Sequence, residues 1–190
     1  MKIDFRSYLS YKFLNSVFNG AVTGSVFTVY ALLEPSLFSI GGIVVAVGIF
    51  VIAKLYSYFM NIRQFFEVSL FTEVLTLATL AIFLLLPKGY VVSMIYFWIY
   101  QIVFIFGTYL VRVESYFLGK VSLLSMIDRI KQKGYIVGLL LSYLFYEALK
   151  LSGKNDAWAQ VGAIYKALFF VQLAIIFYLF KAFKRGQFEL

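Results

Sequence analysis

Cysteine and histidine are both absent from the 190 residues, and only two prolines and nine acidic side chains occur. The chain can therefore form no disulfide, thiolate nucleophile, zinc finger or haem site ligated through His or Cys, and no catalytic group that needs an imidazole. Most enzyme classes are excluded on that ground, and neither catalysis nor a cofactor or metal is expected. Charged residues make up 14% of the chain, against about a quarter in an ordinary soluble domain. Hydrocarbon is what is abundant: 63% of residues are hydrophobic and the mean hydropathy is +0.90. The net charge of +8 is better read as a topology signal in a lipid bilayer than as a nucleic-acid footprint, so no nucleic-acid partner is expected.

A bilayer core about 30 Å thick takes roughly 20 apolar residues per helix. Cutting the chain where charge, Pro or Gly interrupts such runs predicts an all-α polytopic membrane protein with six transmembrane helices, at 13–33, 37–60, 65–86, 90–113, 135–149 and 160–183. The breaks have physical causes. Glu34-Pro35-Ser36 combines a helix stop with a following cap, Asn61-Ile62-Arg63-Gln64 is polar, and Pro87-Lys88-Gly89 joins a ring that cannot continue a helix to a flexible residue. The alternating ten-residue segments of a barrel are missing. The first run has no small-residue cleavage site and reads as a retained helix. Residues 120–133 read as an interfacial amphipathic helix, with Val121, Leu123, Leu124, Met126 and Ile127 against Asp128, Arg129, Lys131 and Lys133, or as a basic loop that only sets topology. No stretch outside the spans is long enough for a second fold, so residues 1–190 form one membrane domain.

Orientation follows the bases. With the N-terminus cytoplasmic, thirteen of the 17 Lys and Arg fall at inner ends: Lys2, Arg6, Lys12, Lys54, Arg63, Arg112, Lys120, Arg129, Lys131, Lys133, Lys181, Lys184 and Arg185. Lys88, Lys150, Lys154 and Lys166 fall on the outer side. This asymmetry places both termini in the cytoplasm, and the expected location is a bacterial cytoplasmic (inner) membrane.

Polar residues inside spans are costly and mark either helix contacts or a cavity. In the first span Asn15, Asn19 and Thr23 recur every four residues beside Gly20 and Gly24, a small-residue pair suited to close helix packing. The Asn amides either bond a neighbouring helix or line a solute cavity. In the third span Ser69, Thr72, Thr76 and Thr79 flank Glu73, roughly 12 Å from the inner end at 1.5 Å per residue. A carboxyl group at that depth needs a partner or a proton, which makes Glu73 a proton-coupling candidate or a structural anchor. The fourth span aligns Gln101, Thr108, Arg112 and Ser115, with Arg112 either snorkelling or clamping an anionic solute. Near the outer end of the fifth, Glu147 is a second proton-coupling candidate and is within reach of Lys166 on the sixth. The substrate-binding set is thus Asn15, Asn19, Thr23, Gln101, Thr108 and Arg112.

No Walker lysine loop, dinucleotide fingerprint, metal-ligand cluster or potassium-filter sequence occurs. The layout instead resembles one six-helix half of a major facilitator superfamily transporter. The resemblance is carried by Tyr109-Leu110-Val111-Arg112-Val113-Glu114-Ser115-Tyr116 leading into Asp128-Arg129-Ile130-Lys131-Gln132-Lys133-Gly134-Tyr135-Ile136-Val137-Gly138, similar to that family's charged connection before a glycine-containing fifth helix. Between the second and third spans Arg63 matches the basic part of the family's Gly-x-x-x-Asp-Arg signature, whose Gly and Asp are missing. The resemblance implies a 3+3 inverted repeat, with helices 1 and 4 lining a central cavity and helix 3 more peripheral, and a second half supplied by a homodimer or by a paralogous partner. The expected function is a half-size secondary transporter subunit moving a small solute by alternating access as a dimer. Two alternatives remain open: a substrate-binding subunit of an energy-coupling-factor transporter, docking through Gly20 and Gly24, and a non-transporting membrane scaffold or assembly subunit.

Overall fold

The computed structural model describes residues 2–184, so Arg185 of the C-terminal basic cluster lies outside the described residues. Among these the fold is all-α apart from one two-residue ribbon. The order is β1 (Lys2–Ile3), α1 (Phe5–Tyr30), α2 (Pro35–Lys54), α3 (Tyr56–Phe59), α4 (Ile62–Leu85), α5 (Tyr90–Leu118), α6 (Val121–Leu151), α7 (Ala157–Ala182) and β2 (Phe183–Lys184). Five of the helices, α2 and α4 to α7, are long and apolar enough to cross a membrane. α1 has the length, 26 residues, but its Asn, Ser, Thr and Tyr content makes it the most mixed of the long helices.

Local chemistry sets the helix ends. Pro35 occupies the first turn of α2, where its missing N–H costs nothing. The Asn61 side chain accepts the Gln64 amide at 2.9 Å to cap α4, and Asp156 accepts the Ala159 amide at 2.6 Å to cap α7. Gly119, at φ 52°, takes the left-handed conformation that ends α5.

Two corrections to the expected layout arise here. Residues 120–133 are not a separate interfacial element, because only Gly119 and Lys120 separate α5 from α6, and α6 runs unbroken for 31 residues. At 1.5 Å per residue it is about 46 Å long, well beyond a hydrocarbon core. Gly134 is a point of close approach: a Cβ there would meet the Phe13 carbonyl oxygen of α1. Likewise α1 begins at Phe5 rather than at residue 13, carrying Tyr8, Tyr11 and Lys12 into the bundle.

The helices pack in the order α6, α1, α7, α4, α5, α2, each against the next. Although joined by a tight turn, α5 and α6 touch little along their lengths. α7 supplies the most regular inner face, with Val161, Ile164, Tyr165, Leu168, Gln172, Ile175 and Leu179 buried at three- and four-residue spacing. α2 is the opposite: Gly41 is its one buried residue, and Ile43, Val47 and Phe50 face outward. The α1–α6 crossing is the tightest. A Cβ on Gly20 would strike the Tyr135 carbonyl oxygen, and one on Gly138 the Val17 carbonyl oxygen, so the two backbones are in contact. Gly24 has no such role, its nearest neighbour being the Tyr146 ring at 3.7 Å. The close-packing set is therefore Gly20, Gly134 and Gly138 rather than Gly20 and Gly24. Finally, β1 pairs antiparallel with β2, Lys2 opposite Lys184 and Ile3 opposite Phe183, and the Asp4 amide donates to the Ala182 carbonyl at 2.8 Å. The start of α1 and the end of α7 therefore lie at one end of the bundle.

Because the obstacle at Gly138 is backbone, Gly138→Val is expected to lower stability by about 3 kcal/mol. Gly42→Ala, which adds a carbon with nothing within 4 Å, is expected to leave stability unchanged or slightly raised. Thermal unfolding in detergent, followed by circular dichroism, checks both.

Candidate functional site

Two buried carboxylates, one on α4 and one on α5, organise the polar interior. Glu73 is 4% exposed. Its Oε1 accepts the Tyr11 hydroxyl at 2.7 Å and the Asn15 amide at 2.9 Å, both from α1. Its Oε2 accepts the Gln172 amide of α7 at 2.7 Å, and the same nitrogen donates to the Glu73 backbone carbonyl at 3.0 Å. Three donors from two helices thus satisfy one carboxyl group, the condition for keeping such a group away from water. The hydroxyl row beside it is satisfied within its own helix: Ser69 donates to the Phe65 carbonyl, Thr72 to Ser69, Thr76 to Thr72 and Thr79 to Leu75. With their protons committed, Thr72 and Thr76 present lone pairs to anything beside them.

The second carboxylate is Glu114 on α5, 2% exposed. Its Oε2 accepts from the Lys131 ammonium of α6 at 2.6 Å, and its Oε1 accepts the Tyr8 hydroxyl of α1 at 2.8 Å. Lys12 Nζ lies 3.4 Å from Oε1 and over the faces of Tyr8 and Tyr11, at 5.2 and 5.4 Å from the ring centres. This cluster ties α1, α5 and α6 together in the half of the bundle that carries the paired chain ends.

Beside Glu73, and reaching the two lysines that meet Glu114, lies a cavity of about 310 Å³. α1 lines it with Tyr11, Lys12, Asn15 and Asn19, α4 with Thr72, Glu73 and Thr76, α5 with Val103, Gly107, Leu110 and Val111, and α6 with Lys131. Asn19 and Val111 are exposed on its rim, so it opens along the flank where α5 and α6 stand apart. A narrower recess of about 50 Å³ continues past Phe18, Thr76 and Val103 to Tyr96 and Tyr100. Next to that recess Ser25 donates to the Tyr165 hydroxyl at 3.2 Å, which donates to the Tyr96 hydroxyl at 3.0 Å.

The structure brings part of the sequence-derived site together. Asn15, Asn19 and Glu73 meet at the cavity, with Asn19 donating to the Asn15 side-chain oxygen at 3.1 Å. Thr23 turns to α6, sharing a hydrogen bond with the Tyr135 hydroxyl at 3.0 Å. The α5 stripe falls elsewhere. Gln101 donates to the Phe97 carbonyl and packs beneath Gly41 of α2, Thr108 donates to the Ile105 carbonyl, Arg112 is exposed, and none of the three lines the cavity. A polar stripe fixes which residues share a face but not which neighbour that face meets, and here Gly107 and Leu110 turn inward instead. Glu147 pairs with Lys150 on its own helix at 2.7 Å rather than with Lys166, which is exposed, and it lies outside the cavity. Sequence reasoning did not select Lys12, Lys131, Tyr11 or Gln172 for the site. The available signal was a lysine one turn into a tyrosine-rich helix face, Tyr8-x-x-Tyr11-Lys12, which the inner-end position made look purely topological. Among the described residues no three acidic side chains converge as a metal ion would require.

Removing Glu114 takes from the buried Lys12 its ion-pair partner among the described residues and leaves Lys131 with Asp128 at 3.7 Å, so Glu114→Ala is expected to destabilise the fold by about 3–5 kcal/mol. Glu67→Ala, which removes an exposed 2.8 Å pair with Arg63, is expected to cost less than about 1 kcal/mol. Chemical unfolding of the two variants in the same detergent tests this ranking.

Comparison of the chain with protein-family models, curated proteins and solved structures finds no match.

Proposed function

We propose that the protein is a half-size secondary transporter subunit that moves a small solute by alternating access and works as a dimer in a bacterial cytoplasmic membrane. The observation that carries this reading is the polar cavity of about 310 Å³, with a carboxylate in its wall, inside a bundle of membrane-length apolar helices. A pocket of that size is at the lower end of the range for small-molecule sites.

Three features support the finer parts of the reading. Chain ends paired at one end of the bundle require an even number of crossings, which six long helices satisfy once α1 is included. The basic residues gather at that same end, which favours both termini being cytoplasmic. The neighbouring pairs map onto themselves when α1 is exchanged with α5, α2 with α6 and α4 with α7: α1–α6 becomes α5–α2, α1–α7 becomes α5–α4, and α4–α7 is unchanged. That is the pattern expected of a 3+3 repeat with the first and fourth long helices at the cavity; the third, α4, departs from the resemblance by lining it too, with Thr72, Glu73 and Thr76. An opening on the flank of a single chain would face lipid, so a second copy, or a paralogous half, closes it. In the energy-coupling-factor alternative the docking pair would be reduced to Gly24, which is exposed, because Gly20 is occupied by α6 inside the bundle.

In proteoliposomes offered a mixed pool of small metabolites, the wild-type protein is expected to accumulate at least one solute above empty vesicles. Asn19→Leu is expected to reduce that uptake at least tenfold without changing the circular dichroism spectrum, and Glu73→Gln to remove its response to an imposed proton gradient. Absence of any accumulated solute, or normal uptake by a folded Asn19→Leu protein, contradicts the reading.

A further inference from the structure

The Lys12 ammonium is held in an unusual way. Its side chain is 11% exposed, and among the described residues its one ion-pair partner is Glu114, at 3.4 Å. The oxygen it faces already accepts the Tyr8 hydroxyl at 2.8 Å, and the other oxygen of Glu114 is taken by Lys131 at 2.6 Å. Two tyrosine faces complete the surroundings and accept no full hydrogen bond. An ammonium carries three donors and no acceptor, so Lys12 enters the cavity with donor capacity that the protein leaves open. The charges point the same way. Lys131 takes the nearer share of the local carboxylates, meeting Glu114 at 2.6 Å and Asp128 at 3.7 Å, and Glu73 is met by Tyr11, Asn15 and Gln172 rather than by Lys12. Beyond Lys12 on the same helix face, Asn15 and Asn19 line the cavity with amides that have further hydrogen-bonding capacity, and Thr76 adds a hydroxyl lone pair.

We propose that this cavity binds a small organic oxyanion, with the anionic oxygens on the Lys12 ammonium and a second polar group of the ligand on the Asn15 and Asn19 amides. The proposal names the substrate class of the transporter reading and rests on it for the word substrate; the binding site itself stands on Lys12. It also replaces the exposed Arg112 as the anion-recognising cation. The matching ligand is a carboxylate carrying a hydroxyl or second carboxyl group. The phosphate of an anionic lipid headgroup, entering by the open flank, would offer the same chemistry.

The test is calorimetric titration of the full chain in phosphatidylcholine nanodiscs with lactate and succinate, and with choline as a cationic control. Saturable binding of lactate or succinate is expected. It should fall at least tenfold in Lys12→Gln and stay within about threefold of wild type in Lys12→Arg, with matching circular dichroism spectra for all three proteins. If the natural oxyanion is a headgroup, adding phosphatidylglycerol to the discs suppresses the carboxylate binding; if it is soluble, phosphatidylglycerol has no effect. Absence of saturable carboxylate binding to the wild type, unchanged affinity in Lys12→Gln, or binding of choline instead overturns the proposal. Carboxylate binding without uptake in proteoliposomes would leave the site standing and contradict the transporter reading alone.

Discussion

A carboxyl group inside a helix bundle has to be met by donors, and Glu73 is where that requirement shapes this molecule. Its partners come from α1 and α7, so the rotation of three helices about their axes is fixed by one side chain. Once Tyr11 and Asn15 point at α4, Lys12 is carried toward α5 and α6, and Asn19, one turn further along, is carried to the rim. Leaving a buried polar atom unpaired costs about 1–3 kcal/mol, so rotations that withdraw these donors from Glu73 are disfavoured. The apolar contacts of α7 add stability to that arrangement without selecting it, since an apolar face accepts many rotations of its neighbour.

Two further devices complete the frame. Backbone contact at Gly20, Gly134 and Gly138 brings α6 onto α1 on the side away from α4, using the absence of side chains where lipid supplies no hydrophobic drive. Glu114 then draws Lys12 and Lys131 together at the end where the chain termini pair. Between these fixed points α5 and α6 stand apart, and the gap between them is the mouth of the cavity. The polar interior and its opening are consequences of the same few contacts.

The sequence made the span centres legible because hydropathy reports the middle of a helix well. It reported the ends poorly. Residues 5–12 and 121–134 look too polar to continue a membrane helix until Tyr8, Lys12 and Lys131 are seen converging on Glu114, a pairing across more than a hundred residues in the case of Tyr8. The two-residue ribbon between β1 and β2 has no periodicity to detect. Depth alone marked Glu73, and four-residue spacing marked Asn15 and Asn19. The Gln101, Thr108 and Arg112 stripe shares a face by the same arithmetic, yet that face meets α2 and the surroundings, because the choice of neighbour depends on tertiary packing. Lys12 was hidden by a sound rule: most lysines near the inner end of a span do serve topology.

In the proposed dimer a second copy covers the open flank between α5 and α6, and a half-size subunit depends on that contact more than on any single residue. Because the chain has no native cysteine, Leu151→Cys at the exposed end of α6 gives a single spin-label site away from the cavity. Double electron–electron resonance between such labels in lipid nanodiscs is the most direct measurement. One narrow intermolecular distance distribution, present in protein that remains competent for uptake, is the predicted result. Uptake-competent protein with no intermolecular dipolar coupling would contradict the account.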